Sequence, residues 1–438
     1  MNWDFLIRDK DSLCVTTDSR KVTPGCIFVA LKGEHFDGND FVEQAFDQGA
    51  EWVLMESEEK FNLLPDEYKK RTTLPLREGT GVGLLQDLAR AWRRSFTIPI
   101  IGITGTNGKT TTKELCAAVL GTKYHLYYTQ GNLNNQLGVP LTLLSITRAH
   151  EMAIVEMGAS HPGDIKELVE IAEPNYGLIT NVGKAHLQGF GSFEGVMRTK
   201  AELYDYLIAH NGTIFRNADN PYLQKMLEDS KIRRFENLKI KNHQSSIINH
   251  QSSIVHYSTG TMPEGTHLVG NYNSENIQAA ICVGKYFGVP EDQALAAIRA
   301  YIPSNNRSQF MKTERNTVVV DAYNANPTSM TAAIEAFDKS KIINQKSQMP
   351  KAYILGAMRE LGDYSHLEHQ NIVNMLLERK ADKVLLVGEE YKETTAPYPV
   401  FDNVDALYEY LQNNPVSGCH ILLKGSRSNQ LEKIIPLL

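Results

Sequence analysis

The chain has 438 residues, of which 42% are hydrophobic and 22% charged, with a formal net charge of -6. That length exceeds what one hydrophobic core organises, so two or three domains are expected, and the balance excludes a disordered or low-complexity chain. The mild acidic excess gives no electrostatic reason to bind nucleic acid, and no run approaches the length of a membrane span.

The start, MNWDFLIRDKD, carries no basic segment followed by an apolar one, so small-molecule partners and a cytoplasmic location are expected. Cys14, Cys26, Cys116, Cys282 and Cys419 are scattered and never spaced as CxxC. Neither a disulfide framework nor a zinc site is expected, which fits a reducing compartment.

In chain order, the strand candidate CIFVAL (26–31), the helical NDFVEQAFDQGA (39–50) and the helical LLQDLARAWRRSF (84–96) read as a small α/β unit. The apolar runs IPIIGIT (98–104), MAIVEM (152–157) and YGLITNV (176–182) then alternate with helical segments, which predicts a largely parallel sheet covered by helices. A third series, TVVVDAY (317–323), AYILG (352–356), KVLLVG (383–388) and HILLKG (420–425), reads as a second doubly wound unit. Breaks near Pro99 and in YIPSNNRSQF (301–310) divide the chain at 1–96, 97–303 and 304–438. The expected fold is α/β with three domains: a small N-terminal one, a central parallel-sheet domain like a P-loop ATPase, and a Rossmann-like C-terminal one. The tandem NHQSSIINHQSSI (242–254) places His243 and His250 among Ser and Gln, which suits a duplicated surface loop better than a metal pair.

The stretch IIGITGTNGKTTTKEL (100–115) ends an apolar run in GKT, yet Ile103 stands where the common phosphate loop has its first glycine. Between a strand and a helix, Gly105, Thr106, Asn107, Gly108, Lys109, Thr110 and Thr111 direct backbone amides and the helix dipole toward an anion. Lys109 is then expected on the β and γ phosphates of a nucleotide and Thr110 on magnesium. Glu156 closes MAIVE at the carboxyl edge of the sheet, either solvated or a metal ligand. His186 follows the next strand in NVGKAH, and Lys200 lies in EGVMRTKAELYDYL, where composition alone would choose an exposed lysine. Asn273 and Asn276 in GNYNSENIQAA are equally well explained as helix-cap and turn residues, and Asn134 and Asn135 as a helix start.

GTNGKTT resembles the phosphate loop of the Mur ligase family of ATP-dependent amide ligases. The resemblance continues in order through GNLNNQLGVPLTLL (131–144), VEMGASHPGDI (155–165), ITNVGKAHLQGFGS (179–192), GNYNSENIQAA (270–280) and KGSRSNQLEKI (424–434). DAYNANPTSM (321–330) is similar to the signature of the branch that adds D-alanyl-D-alanine to UDP-N-acetylmuramoyl-tripeptide. That resemblance implies ATP and two magnesium ions, with Glu156 and His186 at the metal and Lys200 carbamylated by CO2 to hold the second ion. It also implies adenine contacts from Asn273 and Asn276, phosphate contact from Arg307 and ribose contact from Asp321.

For substrates it implies UDP binding at Ser19 and Arg20 and muramoyl-peptide contact at Asn134 and Asn135. The dipeptide would be held by Asn324, Asn326, Ser329, Ser426 and Arg427. Lys109, His186, Lys200 and Arg307 would be catalytic, in a monomer whose domains close over the nucleotide. Three positions depart from the family pattern: Asn39 and Tyr272 stand where histidines are usual, and Ala357 where an acid is usual. A sibling ligase adding diaminopimelate or lysine, or a nucleotide-binding regulatory module without turnover, are the rival expectations.

Overall fold

The structure is a computed structural model that describes residues 2–74, 81–241, 253–270, 272–303, 307–339, 349–381 and 383–438. It is a three-domain α/β fold whose strands form three sheets. The first, ordered β1-β2-β3-β4, is built from Val15–Thr16, Ile27–Val29, Trp52–Leu54 and Thr72–Thr73. Every pairing in it is parallel.

The central sheet is formed by β5 (Ile100–Thr104), β6 (Leu126–Tyr128), β7 (Met152–Glu156), β8 (Tyr176–Ile179), β9 (Thr213–Asn217) and β10 (Ile254–Tyr257). Its order is β10-β9-β8-β5-β7-β6, all parallel. From β5 the chain goes to the edge strand β6, returns to β7 between the two, and then crosses to β8 on the other side of β5. A crevice therefore opens at the carboxyl end of β5, where open parallel sheets bind ligands. β5 and β7 are buried along their whole length, which is why they read as unbroken apolar runs.

The third sheet holds β11 (Gln309–Lys312), β12 (Thr317–Asp321), β13 (Lys351–Gly356), β14 (Lys383–Val387), β15 (Val400–Phe401) and β16 (His420–Lys424), in the order β11-β12-β16-β13-β14-β15. Only β11 is antiparallel, to β12. The sequence did not announce it: alternate residues of this four-residue edge strand are exposed, so it lacks the apolar run of its neighbours.

The helix Gly81–Arg94 is shared between the first two sheets. Leu85, Leu88 and Trp92 are fully buried in one core with Val29 and Leu54 of the first sheet and Ile100 and Val155 of the second. Trp92 Nε1 donates to Ile146 O at 2.9 Å, and the buried Arg93 donates to Ala172 O and Glu173 O at 3.1 and 2.9 Å. The helical pattern read over 39–50 is shorter in the structure: a 3-10 turn at Gly38–Phe41 leads into a helix over Val42–Asp47, because Asp37 accepts from Asn39 N and holds the turn apart.

Cysteine usage needs a correction. Cys14 and Cys26 form a disulfide with Cα atoms 4.6 Å apart. β1 pairs with β2 so that Val15 lies beside Ile27, and the cysteines just before them become lateral neighbours despite a separation of 12 in sequence. Spacing rules look for local pairs and miss contacts made by strand register. The tandem with His243 and His250 lies outside the described residues.

Candidate active site

The phosphate loop is held by glycines and by the exit of β8. Gly105 and Gly108 adopt φ of 142° and 78°, a region that side chains avoid. A Cβ at Gly105 would collide with Thr180 Oγ1, and one at Gly108 with the Asn276 amide. Thr106 N donates to Asn181 O at 2.9 Å, Asn107 N to Asn181 Oδ1 at 3.0 Å, and Thr180 Oγ1 to Asn107 O at 2.7 Å. The loop thus aims the N-terminus of the helix Lys109–Leu120, with the partial positive charge of its first-turn amides, into the crevice. Lys109 Nζ donates to Gly105 O and Thr106 O at 2.9 and 3.0 Å. Burial pushes its pKa down, opposed by Glu156 and assisted by Arg307.

At the end of β7, buried Glu156 accepts from Thr110 Oγ1 at 3.2 Å and from Asn134 Nδ2 at 2.8 Å, both through Oε1. Its Oε2 is buried without a hydrogen-bond partner among the described residues, and Lys113 Nζ stands 3.7 Å away, beyond hydrogen-bond reach. A buried carboxylate oxygen left bare is costly, and a hard divalent ion with oxygen ligands would satisfy it. The donor set of Glu156 and Thr110 therefore fits magnesium. Asn134 reaches this carboxylate, whereas Asn135 Oδ1 accepts from Leu137 N and Gly138 N at 3.2 and 2.9 Å and starts a helix.

His186 sits at φ 50° before the short helix Leu187–Phe190, with Nδ1 bonded to Glu360 of the C-terminal unit. Burial lowers its pKa, and Glu360 opposes the shift. Lys200 is only 2% exposed, so the alternative of a solvated lysine is excluded. Its Nζ lies 3.5 Å from Ala159 O and 5.5 Å over the Phe190 ring. Burial, reinforced by Lys109, holds its pKa well below the ordinary lysine value.

The C-terminal unit and the chain leading to it close the cavity from the opposite side. Arg307 places Cζ 3.8 Å over the Tyr323 ring, and its buried Nε has no partner among the described residues. Arg427 Cζ lies 5.6 Å from the same ring. Asp321 is paired with buried Lys424 at 2.7 Å, and Lys424 also donates to Asn324 O at 3.0 Å. Asn326 caps the helix Pro327–Lys339, accepting from Ser329 N at 2.9 Å, and donates to Asn107 Oδ1 of the phosphate loop at 2.8 Å. Ser329 Oγ accepts from Asn326 N at 3.1 Å. Further ties between the units are Lys184 to Glu368 at 2.6 Å and Lys184 N to Thr328 Oγ1 at 2.9 Å.

Asn273 and Asn276 are buried inside the helix Asn273–Tyr286 rather than capping it. Asn276 Oδ1 accepts from Thr112 Oγ1 at 3.0 Å, which ties that helix to the phosphate-loop helix. The three departures have structural explanations. Tyr272 OH bonds Ser308 Oγ at 2.7 Å. Buried Asn39 accepts from Glu56 N at 3.2 Å and donates to Asp37 at 2.6 Å. Ala357 is fully buried, with its carbonyl taking the Ser426 hydroxyl at 2.8 Å.

A cavity of about 710 Å³ joins these parts. Its wall includes Thr106 to Thr111, Asn134, Asn135, Glu156 and His186 from the central unit, and Asn273 and Asn276 behind them. Arg307, Asp321, Asn324, Ser329 and Arg427 complete it. Gly105, Lys200, Asn326 and Ser426 do not line it, nor do Ser19 and exposed Arg20, which is paired with Asp18 at 2.9 Å. Sequence reasoning passed over Lys113, Tyr323, Glu360 and Lys424. Tyr323 stood inside DAYNANPTSM and Lys424 ended HILLK, so both carried a signal, but their partners are remote in sequence.

Family models match in three segments: "Mur ligase family, catalytic domain" over 13–90, "Mur ligase middle domain" over 103–284 and "Mur ligase, glutamate ligase domain" over 306–427. The chain is 33% identical to the UDP-N-acetylmuramoyl-tripeptide–D-alanyl-D-alanine ligase of Bacillus subtilis, across 96% of this chain and 92% of that one. It is also 33% identical to the enzyme of that name from Escherichia coli, across 97% and 93%. Among solved structures, MurF ligase of Thermotoga maritima in complex with ADP superposes with a TM-score of 0.80 at 26% identity, covering 98% of both chains. MurF of Acinetobacter baumannii gives 0.78 at 26% identity, covering 96% of this chain and 92% of that one.

Proposed function

The chain belongs to the Mur ligase family, and from that premise we propose that it joins D-alanyl-D-alanine to UDP-N-acetylmuramoyl-tripeptide at the expense of ATP. The products are UDP-N-acetylmuramoyl-pentapeptide, ADP and phosphate, which places the enzyme in peptidoglycan biosynthesis. One observation carries this: a phosphate loop and the polar side chains of DAYNANPTSM face each other across a single cavity.

Amide formation from a carboxylate needs a leaving group better than oxide, and transfer of the γ-phosphoryl group to the tripeptide's terminal carboxylate supplies one as an acyl phosphate. The loop amides and helix N-terminus hold the triphosphate. Lys109 leaves the carbonyls of Gly105 and Thr106 for the phosphate oxygens, and Arg307, whose Nε has no hydrogen-bond partner among the described residues, neutralises charge that builds in transfer. Thr110 and Glu156 hold one magnesium ion, with Asn134 orienting the carboxylate and His186 beside it. Magnesium, when bound, draws charge from the transferring phosphoryl oxygens.

Lys200 has the properties carbamylation demands: a buried amine with a lowered pKa and no acidic side chain in hydrogen-bond contact among the described residues. The neutral amine would add to CO2 and release a proton, and the resulting carbamate would supply oxygen ligands for a second magnesium ion. Asn273 and Asn276 serve the adenine end and Asp321 the ribose. Asn324, Ser329 and Arg427 take the dipeptide, with Asn326 and Ser426 supporting that wall. Ser19 and Arg20 take the UDP moiety and Asn135 the muramoyl peptide. The units divide at 1–96, 97–303 and 304–438, and closing the last on the second excludes water that would hydrolyse the acyl phosphate.

ATP and a UDP-linked substrate place the reaction in the cytoplasm, where the enzyme acts as a monomer. ADP formation measured with UDP-muramoyl tripeptides ending in diaminopimelate or lysine should rise only when D-alanyl-D-alanine is present. Stimulation by a single amino acid instead would identify a sibling ligase, and nucleotide binding without ADP formation a regulatory module.

A further inference from the structure

The ligase reading leaves one end of the acceptor without a receptor. A free dipeptide at neutral pH carries a carboxylate and an ammonium group. The residues given above to D-alanyl-D-alanine, Asn324, Asn326, Ser329, Ser426 and Arg427, suit the carboxylate and the peptide amide, and none is an acid. We propose that Glu360 binds the acceptor's ammonium group and thereby selects a zwitterionic dipeptide, an assignment that rests on the ligase reading.

Three of the other acids of the cavity wall are committed, and the fourth lies at the adenine end. Glu156 is held by Thr110 and Asn134 at the metal position. Asp321 is paired with Lys424 at 2.7 Å. Asp164 accepts from Ser160 N and His161 N at 2.8 Å each. Glu275 follows Asn273 on the helix assigned to the adenine end. Glu360 differs from all of them. Its Oε2 meets His186 Nδ1, Oε1 accepts no hydrogen bond from any described residue, and the side chain is 56% exposed on the cavity wall.

Its backbone is fixed as well. Glu360 adopts φ 60°, and its carbonyl accepts from Gln188 N of the central unit at 3.2 Å. The carboxylate therefore stands where the C-terminal unit meets His186, the residue placed beside the magnesium position. Arg427, from the same C-terminal unit as Glu360, takes the opposite charge of the dipeptide. An ammonium bound at Glu360 puts that nitrogen on the side of the cavity where the acyl phosphate forms; it passes one proton to the Glu360 carboxylate, and the neutral amine then attacks the acyl carbon as phosphate leaves. The specificity follows from charge: an acceptor with a hydroxyl in place of the ammonium leaves Oε1 without its charge-assisted donor.

The test compares D-alanyl-D-alanine with D-lactoyl-D-alanine, in which a hydroxyl replaces the amine. Binding is measured by calorimetry on the full chain with UDP-muramoyl-tripeptide and a non-hydrolysable ATP analogue, for wild type, Glu360→Gln and Glu360→Ala. A charge-assisted hydrogen bond predicts that wild type prefers the dipeptide by roughly 10- to 100-fold. Both variants should lose that preference and raise KM for the dipeptide, with KM for ATP and for the UDP-tripeptide unchanged. Retained preference with only kcat reduced would mean that Glu360 merely orients His186, and would overturn the proposal. Absence of any dipeptide binding to wild type would instead remove the ligase reading, and this assignment with it. Glu360→Gln keeps the size of a largely exposed side chain, and an unchanged thermal unfolding curve verifies that folding is not the cause.

Discussion

The carboxyl edges of the two six-stranded sheets carry charge in opposite ways. On the central sheet and among the described residues, Lys109 donates only to carbonyls of its own loop, Lys200 is buried without an acidic partner in hydrogen-bond contact, and Glu156 buries an oxygen with no hydrogen-bond donor. On the C-terminal sheet, the corresponding charges close on each other: Asp321, the last residue of β12, with Lys424, the last residue of β16, at 2.7 Å. An edge with unpaired buried charge is completed by a ligand, whereas a paired edge is a finished scaffold that carries contact residues to it. Substitutions of those central charges should therefore cost turnover, and of the Asp321–Lys424 pair, stability.

The severest test is Lys200→Ala. Turnover should fall below detection while the unfolding transition is preserved, and added short-chain carboxylate should restore part of the ADP formation by standing in for the carbamate. Full activity in that variant would remove Lys200 from the mechanism. Next, Lys109→Ala should lower kcat by about 10²- to 10³-fold, as expected for removing a donor aimed at developing charge. Steady-state assays with saturating ATP measure this, and a change in KM alone would make Lys109 a binding residue only.

On the other edge, Lys424→Met leaves Asp321 without its partner and should destabilise the fold by about 3–5 kcal/mol. Urea denaturation reads that loss, and an unaltered midpoint would show that the pair contributes nothing. The smallest effect is expected of Asn326→Ala, which removes a helix cap worth about 1 kcal/mol together with the bond to Asn107. A lower melting temperature with near-normal nucleotide affinity is the anticipated result. A large rise in the nucleotide's Kd would instead make Asn326 part of the phosphate site.

Features written in consecutive residues were legible beforehand. The buried strands β5, β7 and β12 are apolar runs, and the glycines of the phosphate loop sit where the backbone must turn next to Thr180 and Asn276. Features made by juxtaposition were not. Asp321 and Lys424 are 103 residues apart and meet only because β12 and β16 are neighbours. Cys14 and Cys26 meet through the register of β1 and β2. Glu360 escaped attention because the segment's departure at Ala357 pointed away from it, and its partner His186 belongs to another unit. Asn134, read as a helix-start or substrate residue, turned out to brace Glu156, a bond that no spacing rule describes.

The helix Gly81–Arg94 also bears on how the polypeptide can be cut. Leu85, Leu88 and Trp92 are sealed between two sheets, so a fragment beginning at residue 97 would uncover apolar surface worth about 1.5–3 kcal/mol for each side chain it had covered. A fragment ending at residue 303 keeps that seam whole and retains the phosphate loop, Glu156 and Lys200. Engineered dissection, spectroscopic labelling or crystallisation of separate pieces should therefore treat the first two sheets as a single block, and a cut at residue 303 has its own cost, because Leu187, Phe190, Val196 and Val269 share a buried core with the third sheet.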